Sequence, residues 1–352
     1  MVQAAINGLG RIGRTALRVF LERSDLHNQL DFKVINTSGS MEIEGWANAL
    51  KYDTAYRKLP QELSVEKVKE VKAVTEADPL IGYFHLAGRK IAVLAQRDPE
   101  KIPWSQYGVE VVIEATGVFR DEKGAGKHIK AGAKKVLVSA PSKGGQIGTY
   151  VLGVNAYDGK FPIADNASCT TNCIAPIAAV IHEKLGIKKA ALTTVHAYTD
   201  DQNLQDGSHP EDLRRARAAA MNLVPTSTGA AKAVTQTMPE LKGLFDGIAI
   251  RAPVVTGSIS DLTFVVKKPT TVAAVKQIIK EAAESERWRG LIAWTEEPLV
   301  SSDIIGRKES AIVDLEFTQV IDGDLVKILA WYDNEWGYCN RLIEQAIYVG
   351  TH

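Results

Sequence analysis

The chain is poor in cysteine, carries no excess of charge and has no long apolar run, and each of these absences excludes a class of protein. Three cysteines among 352 residues are too few for a disulfide scaffold, and they suit a reducing compartment in which a single thiol can be catalytic. The 42 basic and 42 acidic residues give a formal net charge of zero. The sequence therefore has no electrostatic footprint for nucleic acid or for an anionic membrane.

No apolar stretch approaches the roughly 18 residues that a membrane helix needs. The first strand pattern, at 2–7, begins at once, without the basic region or cleavage pattern of a secretory signal. We therefore expect a cytoplasmic protein with no membrane partner, no strong binding of nucleic acid and no metal site. The length is sufficient for two domains with sizeable cores.

Strand and helix patterns alternate through the first half of the chain. Apolar runs predict buried strands, and apolar positions spaced by three or four residues predict helices. Strands are expected at 2–7, 32–36, 109–115 and 135–139, and helices at 11–23, 46–50 and 123–131. This alternation favours an α/β fold with a Rossmann-type, doubly wound parallel sheet. The charge-rich segment 62–78 has weak periodicity, and we interpret it as a surface insertion or irregular excursion.

The second half has long β-type runs in series, with helices between them. Strands are expected at 190–197, 248–255, 260–266 and 326–332, and helices at 214–221 and 272–285. This pattern favours an α+β domain with a mostly antiparallel sheet. We predict a dinucleotide-binding domain at 1–167 and a catalytic domain at 168–334, with a carboxyl-terminal helix at 335–352 that packs back on the first domain.

A glycine-rich turn follows the first strand and precedes the first helix. In Gly8-x-Gly10-x-x-Gly13 the first glycine allows a tight turn, the second lets the backbone approach a pyrophosphate, and the third lets helix and strand pack closely. The helix amino terminus would then face the phosphates. Such a motif alone can be an ordinary glycine-rich turn, but its place between a strand and a helix favours dinucleotide binding.

The end of the second strand bears on the choice of cofactor. An acidic residue there accepts hydrogen bonds from the adenosine ribose diol and would repel a 2′-phosphate. This strand ends in Asn36-Thr37-Ser38, without a carboxylate, and hydroxyl and backbone N–H groups can donate to a phosphate. The pattern favours NADP, alone or alongside NAD. The alternative is that another group holds the diol and that NAD is still preferred.

One cysteine is placed where a thiol can react. Ser168 is a suitable N-cap, and Cys169 would be the first residue of the following helix, where the positive end of the macrodipole favours a thiolate. His196 could serve as its ion-pair partner and as general acid and base. The alternative is a buried structural cysteine and a hydrogen-bonded core histidine. A thiol, an imidazole and a nicotinamide site together predict oxidation of an aldehyde through a covalent thioester.

Two further clusters are suited to anions. Thr199, Asp201 and Arg251 stand at strand ends, and the hydroxyl- and glycine-rich turn 226–231 leads into a helix whose N–H groups would bind a phosphate. Three arginines lie close by in sequence, within 214–217, although such segments are usually solvated, salt-bridged faces. Two anion sites beside one nucleophile suit a phosphorylated substrate and a second, inorganic phosphate.

Together these motifs resemble phosphorylating glyceraldehyde-3-phosphate dehydrogenase over nearly the whole chain. The resemblance rests on the ordered blocks 7–14 (NGLGRIGR), 167–173 (ASCTTNC), 194–199 (TVHAYT), 212–217 (DLRRAR), 225–231 (PTSTGAA) and 331–338 (WYDNEWGY). It implies that Cys169 attacks the aldehyde of D-glyceraldehyde 3-phosphate and that His196 takes the proton as hydride passes to the nicotinamide. Phosphate would then attack the thioester to give 1,3-bisphosphoglycerate.

The resemblance also implies the roles of other residues and the assembly. It gives the substrate's C3 phosphate to Thr199 and Arg251, with Asp201 in the same cluster. The attacking phosphate would be held by Ser168, Thr170, Arg215, Thr228 and Gly229. Cofactor contacts would come from Gly8, Gly10, Arg11, Ile12, Gly13, Asn36, Thr37, Ser38, Arg97, Thr116, Gly117, Ser139, Ser208, Asn334 and Tyr338. Family members are homotetramers whose S-shaped loop, here about 200–222, lies near the neighbouring subunit's cofactor.

Two departures from the NAD-preferring members of that family both favour NADP. Those members carry Asp where this chain has Thr37, and Leu-Pro in the S-shaped loop where it has Gly207-Ser208-His209-Pro210. Members that use NADP tend to carry a small residue followed by Ser in that loop. The resemblance therefore implies use of NADP, alone or together with NAD.

Two other functions are compatible with part of the sequence. Erythrose-4-phosphate dehydrogenase shares the cysteine and the fingerprint, but it tends to lack a threonine at position 199 and the turn Thr228-Gly229. A non-catalytic nucleotide- or RNA-binding scaffold would not need Cys169, His196 and Arg251 together, and the neutral charge argues against strong RNA binding. Both are ranked below glyceraldehyde-3-phosphate dehydrogenase.

Overall fold

The computed structural model describes all 352 residues, which divide into two units. The first comprises Met1–Tyr150, Tyr157–Asn166 and Cys339–His352, and the second comprises Val151–Ala156 and Ala167–Tyr338. Each unit is built on its own β-sheet. The seven α-helices are α1 (Arg11–Glu22), α2 (Ile43–Lys51), α3 (Glu122–Lys130), α4 (Cys169–Leu185), α5 (Ala230–Thr237), α6 (Val272–Glu284) and α7 (Trp336–Thr351).

The first unit contains a nine-stranded sheet and a two-stranded hairpin. Its strands are β1 (Val2–Asn7), β2 (Leu30–Thr37), β3 (Tyr52–Asp53), β4 (Arg57–Lys58), β5 (Leu63–Lys67), β6 (Leu80–Leu86), β7 (Arg89–Ala95), β8 (Val111–Glu114), β9 (Lys135–Val138), β10 (Gly148–Thr149) and β11 (Ile163–Asp165). Across the large sheet the order is β10-β11-β9-β8-β1-β2-β7-β6-β5. Neighbouring strands are parallel except at the β7-β6-β5 edge.

The strand order reverses at β1, and this reversal locates a ligand cleft. From β1 the chain passes to β2 on one side, whereas β8 is added on the other side. In open sheets of this kind, ligands bind outside the carboxyl ends of the strands at such a switch point. The predicted doubly wound sheet is confirmed, and its switch point lies where β1 and β8 end, at Asn7 and Glu114.

The glycine-rich turn after β1 has the backbone geometry that the motif requires. Gly8 has a φ angle of +98°, in the left-handed region that side chains disfavour. A Cβ atom on Gly13 would lie 2.0 Å from the carbonyl oxygen of Gly8, whereas one on Gly10 would meet nothing within 4 Å. Gly13 therefore permits α1 to pack on β1, and the open space at Gly10 leaves room for a ligand at the amino terminus of α1.

The last helix contacts the sheet of the first unit from Cys339 onward. At Gly350 a Cβ atom would lie 2.6 Å from the Val2 side chain, so the backbone of the helix packs directly against that side chain of β1. The Lys135 ammonium donates to the carbonyl of Val349 at 2.9 Å. Close packing and a charge-assisted hydrogen bond thus hold α7 beside β1 and β9.

The segment 62–78 is more regular than the sequence analysis expected. Its first part, β5, forms the edge strand of the sheet and pairs with β6 in antiparallel register from Leu63 to Lys67. Leu63 and Val65 alternate with exposed Ser64 and Glu66, but two half-buried residues make too short a period-two pattern to detect. The interpretation as an irregular excursion is wrong for this strand.

The second unit contains a seven-stranded sheet. Its strands are β12 (Ile187–Ala197), β13 (Val224–Ser227), β14 (Phe245–Ala252), β15 (Ser258–Val266), β16 (Ile292–Thr295), β17 (Ala311–Ile321) and β18 (Leu325–Tyr332), and their order is β13-β14-β12-β15-β18-β17-β16. Four of the six pairings are antiparallel, as predicted. Helix α4 is almost entirely buried and packs on this sheet, which fixes the position of its first residue, Cys169.

The helix predicted at 214–221 is not formed. This part of the S-shaped loop consists of turns with a single 3₁₀ turn at Ala219–Met221. The guanidinium of Arg217 pairs with Asp206 at 2.9 Å, and that of Arg215 pairs with Asp201 at 2.8 Å. These two ion pairs join residues that are far apart within the loop, and not residues one helical turn apart. The arginine-rich pattern therefore reflects ion pairs that stabilise the loop.

We predict opposite consequences for Gly13→Ala and Gly10→Ala. The first places a methyl group against the backbone of Gly8 and should lower the free energy of unfolding by roughly 2–3 kcal/mol. The second meets no protein atom and should leave stability nearly unchanged while weakening NAD binding. Urea denaturation and NAD titration measure the two effects. Equal stability of both variants would contradict the close packing inferred at Gly13.

Candidate active site

In the first unit, the ends of β2 and β7 bear on cofactor choice. Thr37 is 1% exposed, and its hydroxyl donates to the carbonyl of Leu94 at 2.9 Å, so this hydroxyl is directed inward. Ser38 is exposed and follows directly. Arg97 is exposed and lies two residues after Ala95, the parallel partner of Thr37. Of the predicted contacts at this edge, Ser38 and Arg97 are the ones whose side chains reach solvent.

The turns that follow β8 and β9 carry three more predicted cofactor residues. Thr116 and Gly117 are exposed, and Gly117 has a φ angle of +73° with open space around its Cβ position. The N–H of Ser139 donates to the carbonyl of Glu114 at 2.9 Å. All three therefore lie at the carboxyl edge of the sheet near the switch point, where open, backbone-lined turns suit a dinucleotide.

At the start of α1, Arg11 is bound by the protein itself. Its guanidinium forms an ion pair with Asp53 and lies 5.3 Å from the ring centroid of Tyr56. The carbonyl of Ile12 accepts a weak hydrogen bond from the Cys339 thiol at 3.7 Å. Asn36 is buried at the end of β2 and bonded to other side chains. The side chains of Arg11 and Asn36 thus bind other groups of the protein, and these contacts stabilise the conformation of the turn.

The second unit holds the remaining predicted cofactor residues. Asn334 is 4% exposed, and its Oδ1 accepts hydrogen bonds from the hydroxyl of Ser258 at 2.8 Å and from the N–H of Gly257 at 3.2 Å. This fixes the amide and leaves Nδ2 as the donor for a ligand. The Tyr338 hydroxyl donates to the carbonyl of Ala167 at 3.2 Å. Ser208 is exposed in the S-shaped loop.

Cys169 and His196 are brought together in the second unit. The thiol is on the first residue of α4, and the Ser168 hydroxyl caps this helix by accepting from the N–H of Thr171 at 3.0 Å. His196, near the end of β12, places Nε2 3.3 Å from Sγ of Cys169. A half-buried thiol, a helix amino terminus and an imidazole in hydrogen-bond contact form the arrangement of an activated nucleophile.

The second ring nitrogen of His196 has two competing partners. Nδ1 lies 2.7 Å from the carbonyl oxygen of Ala197 and 2.8 Å from Nη1 of Arg251. A carbonyl can only accept and a guanidinium can only donate, so one proton on Nδ1 serves the first and excludes the second. When Nδ1 donates to Ala197, Nε2 is unprotonated and can accept the proton of the thiol.

Burial and charge act in opposite directions on this pair. Burial raises the pKa of the Cys169 thiol, and the positive charge of Arg251 opposes that rise. Burial and the same arginine lower the pKa of His196 to about 4. Each group alone is therefore held neutral. The attraction between a thiolate and an imidazolium at this separation works against both shifts, so transfer of the proton within the pair is the route to a nucleophile.

The predicted anion cluster is assembled around one carboxylate. Asp201 accepts a short hydrogen bond from the Thr199 hydroxyl, lies 2.8 Å from Nη1 of Arg215 and lies 3.6 Å from Nη2 of Arg251. Burial opposes its ionisation, but these three donors lower its pKa below the ordinary value. Nε of Arg251 and both polar side-chain atoms of Gln202 are buried without a hydrogen-bond partner. Unpartnered buried donors beside two arginines indicate a place for an anion.

The other predicted phosphate residues are divided between two helix starts. Gly229 is the N-cap of α5 and has open space at its Cβ position, and the Thr228 hydroxyl accepts from the N–H of Ala230 at 3.2 Å. At the start of α4, the Thr170 hydroxyl is buried and bonded to the hydroxyl of Tyr332 at 2.9 Å. The hydroxyl of Thr170 therefore faces the core, and only its backbone N–H remains for an anion.

Two residues that support the site were not assigned roles by the sequence analysis. Asp212 accepts from the Thr226 hydroxyl at 2.5 Å and from Nε of Arg215 at 3.2 Å, and it holds that arginine in place. The Tyr332 hydroxyl bonds to both Thr170 and Thr194 at 2.9 Å, which ties the first turn of α4 to β12. Both lie inside the blocks DLRRAR and WYDNEWGY, so the blocks themselves were the available signal.

Comparison with known proteins gives the family. Residues 168–334 match the glyceraldehyde 3-phosphate dehydrogenase C-terminal domain, and residues 2–122 match the NAD binding domain of the same family. The chain belongs to the glyceraldehyde 3-phosphate dehydrogenase family. The predicted family, the dehydrogenase class of enzyme and a nicotinamide dinucleotide (NAD, NADP or both) as cofactor are thereby confirmed.

Individual relatives support this assignment over the full length. The chain is 46% identical to glyceraldehyde-3-phosphate dehydrogenase 2 of Synechocystis sp., covering 100% of this chain and 99% of that protein. It is 46% identical to the enzyme of Mycobacterium leprae, over 99% of this chain and 98% of that protein. It is also 46% identical to the chloroplastic glyceraldehyde-3-phosphate dehydrogenase B of Pisum sativum, over 99% of this chain and 74% of that protein.

No helix combines the length and the apolar composition needed to cross a membrane. No group of three or more His, Cys, Asp or Glu side chains is arranged to hold a metal ion.

We predict that His196→Asn slows the acylation of Cys169 by about 10²–10⁴-fold, because the general base is lost. Without the imidazole, the thiolate loses its partner, so alkylation of the thiol by iodoacetamide should require higher pH. His182→Asn is the control, since His182 lies in α4, the helix of Cys169, and contacts Ile187 instead of the thiol. An unchanged alkylation profile in the His196 variant would contradict the pairing.

Proposed function

We propose that the chain catalyses the phosphorylating oxidation of D-glyceraldehyde 3-phosphate to 1,3-bisphosphoglycerate through a thioester on Cys169. The observation that carries the proposal is the 3.3 Å contact between Sγ of Cys169 and Nε2 of His196 at the start of α4. A covalent intermediate divides one difficult acyl transfer into two easier steps.

In the first step, His196 accepts the thiol proton and Cys169 attacks the aldehyde carbon, forming a thiohemiacetal. His196 then holds the hydroxyl proton of this adduct as the C–H bond breaks and a thioester remains. The bound nicotinamide supplies the hydride acceptor. The first-turn N–H groups of α4 lie beside the developing oxyanion and would stabilise it.

In the second step, an oxygen of inorganic phosphate attacks the thioester carbonyl, the C–S bond breaks and Cys169 leaves as a thiolate. We assign the substrate's C3 phosphate to Thr199 and Arg251 and the attacking phosphate to Arg215 and the turn at Thr228. All but Thr228 bond to, or lie within 3.6 Å of, Asp201. A bound phosphate would therefore compete with this carboxylate for the same donors.

We further propose that NADP is used, alone or with NAD. No carboxylate stands at the end of β2, where it would bind the ribose diol and repel a 2′-phosphate. Ser38 and Arg97 are exposed and follow the carboxyl ends of β2 and β7, which are adjacent parallel strands. Together they supply a hydroxyl and a positive charge for that phosphate.

We also propose that the chain works as a homotetramer in the cytoplasm. Leu204, Leu213 and Met221 in the S-shaped loop are 82–84% exposed, and contact with a second copy would cover them. The cytoplasmic location remains a prediction from the low cysteine content.

Glyceraldehyde 3-phosphate is preferred to erythrose 4-phosphate because Thr199 and the turn Thr228-Gly229 are both present.

Initial rates of reduced-cofactor formation test the proposal. We expect turnover of D-glyceraldehyde 3-phosphate only when phosphate is supplied, with kcat/KM for NADP within a hundredfold of that for NAD or above it.

Arg97→Gln should raise KM for NADP about tenfold and leave KM for NAD unchanged. Lys90→Gln, at the opposite end of β7, is the control. A more than hundredfold preference of the wild type for NAD would end the NADP proposal, and absence of turnover would favour a scaffold.

A further inference from the structure

A buried polar network in the first unit takes no part in the proposed reaction but lies directly at the switch point. At its centre is Glu114, the last residue of β8, which is 1% exposed. Its carboxylate accepts from Nδ2 of Asn7 at 2.6 Å, from the N–H of Thr116 at 2.8 Å and, by a short hydrogen bond, from the Thr116 hydroxyl. Nε2 of His128 lies 3.0 Å away. Buried carboxylates are stable only when donors of this kind surround them.

The proton on His128 is fixed by a tryptophan. Nε1 of Trp104 donates to Nδ1 of His128 at 3.0 Å. An indole nitrogen is a donor only, so Nδ1 must be unprotonated and the ring proton must be on Nε2. That proton points to Glu114. Both Trp104 and His128 are fully buried, so the carboxylate has a permanent donor on α3 in addition to those on β1 and on its own turn.

Two of the three residues that Glu114 binds immediately precede glycines in two turns. Asn7 is followed by Gly8, and Thr116 is followed by Gly117. The turns are in contact, because a Cβ atom on Gly8 would lie 2.8 Å from Cγ2 of Thr116 and 2.9 Å from its backbone nitrogen. One carboxylate therefore sets the separation of the two turns. Side chains that could prop them apart are absent at both glycines.

The network extends to the strand that bears on cofactor choice. Oδ1 of Asn7 accepts from Nδ2 of Asn36 at 2.7 Å, and Oδ1 of Asn36 accepts from the N–H of Gln96 at 3.0 Å. Each amide is thereby held with its oxygen and nitrogen in a fixed order. The row of side chains joins the carboxyl ends of β8, β1, β2 and β7 in the order in which they stand in the sheet.

We propose that Glu114 is a positioning residue for dinucleotide binding, whose carboxylate holds the Gly8 and Gly117 turns in the conformation that receives the cofactor. Only a group whose two polar atoms both accept hydrogen bonds fits this position, since every neighbour donates a hydrogen. An amide of the same shape would place its own NH₂ against one of those donors. The side chain acts through Asn7, Thr116 and His128, with no need to touch the ligand.

The first test is Glu114→Gln, which keeps the shape and reverses one hydrogen-bonding atom. We expect the Kd for NAD, measured by calorimetry, to rise about tenfold, because one buried donor loses its acceptor. At saturating cofactor, kcat should stay within twofold of the wild type, since Cys169 and His196 are untouched. Binding is read directly, so the result does not depend on the proposed reaction.

Three variants separate positioning from a general loss of stability. Asp165→Asn alters an equally buried carboxylate of the same sheet, on β11, which is two strands away from β8. This carboxylate accepts from the N–H of Ser142 and from the hydroxyl of Thr149, and the Kd of the variant for NAD should stay within twofold of the wild type. His128→Gln can still donate to Glu114 and accept from Trp104, and it should retain affinity. His128→Leu loses both bonds and should raise the Kd about fivefold.

Two results would overturn the proposal. One is a wild-type Kd in Glu114→Gln, and the other is an equal loss of affinity in Asp165→Asn, which would make the effect one of stability. If Glu114→Gln does not fold, the two His128 variants decide: equal affinities for the glutamine and leucine forms would reject the positioning role.

Discussion

The site depends on a conflict between burial and charge at one thiol. The proposed catalysis needs a thiolate, but burial raises the pKa of Cys169 and lowers that of His196. The protein compensates with the amino terminus of α4, the guanidinium of Arg251 and an imidazole held 3.3 Å from the sulfur. The macrodipole is not sufficient in isolation, because it contributes about 0.3–1 kcal/mol and at most about 2 kcal/mol. In the proposed reaction, the mutual attraction of thiolate and imidazolium would supply the remainder.

The same logic governs the anion cluster. Arg215 and Arg251 both carry positive charge, and Asp201 offsets part of their repulsion by pairing with each of them while it accepts from Thr199. A carboxylate and a phosphate both present anionic oxygens to a guanidinium. In the proposed reaction, a bound phosphate would therefore meet donors that are already directed at a negative charge.

The sequence predicted the elements with long patterns and missed those decided by tertiary contacts. The GxGxxG turn, the helix starting at Cys169 and the strand carrying His196 all have strong local signals, and the structure has each of them. The edge strand β5 has only two inward residues, which is too few for a recognisable pattern. The arginine-rich segment at 214–221 has the residue spacing of a helical face, but its guanidiniums bind Asp201, Asp206 and Asp212 and the segment is not a helix. The inward hydroxyls of Thr37 and Thr170 could not be foreseen, because their acceptors come from distant strands.

The most direct test of the central claim is to trap the covalent intermediate. Mixing the protein with D-glyceraldehyde 3-phosphate and excess oxidised cofactor in the absence of phosphate, followed by acid quench and peptide mass spectrometry, should show a phosphoglyceryl adduct on the peptide carrying Cys169. The adduct should disappear when phosphate is added before the quench. An adduct on Cys339, or reduced cofactor produced at full rate with no acylated cysteine, would contradict the account.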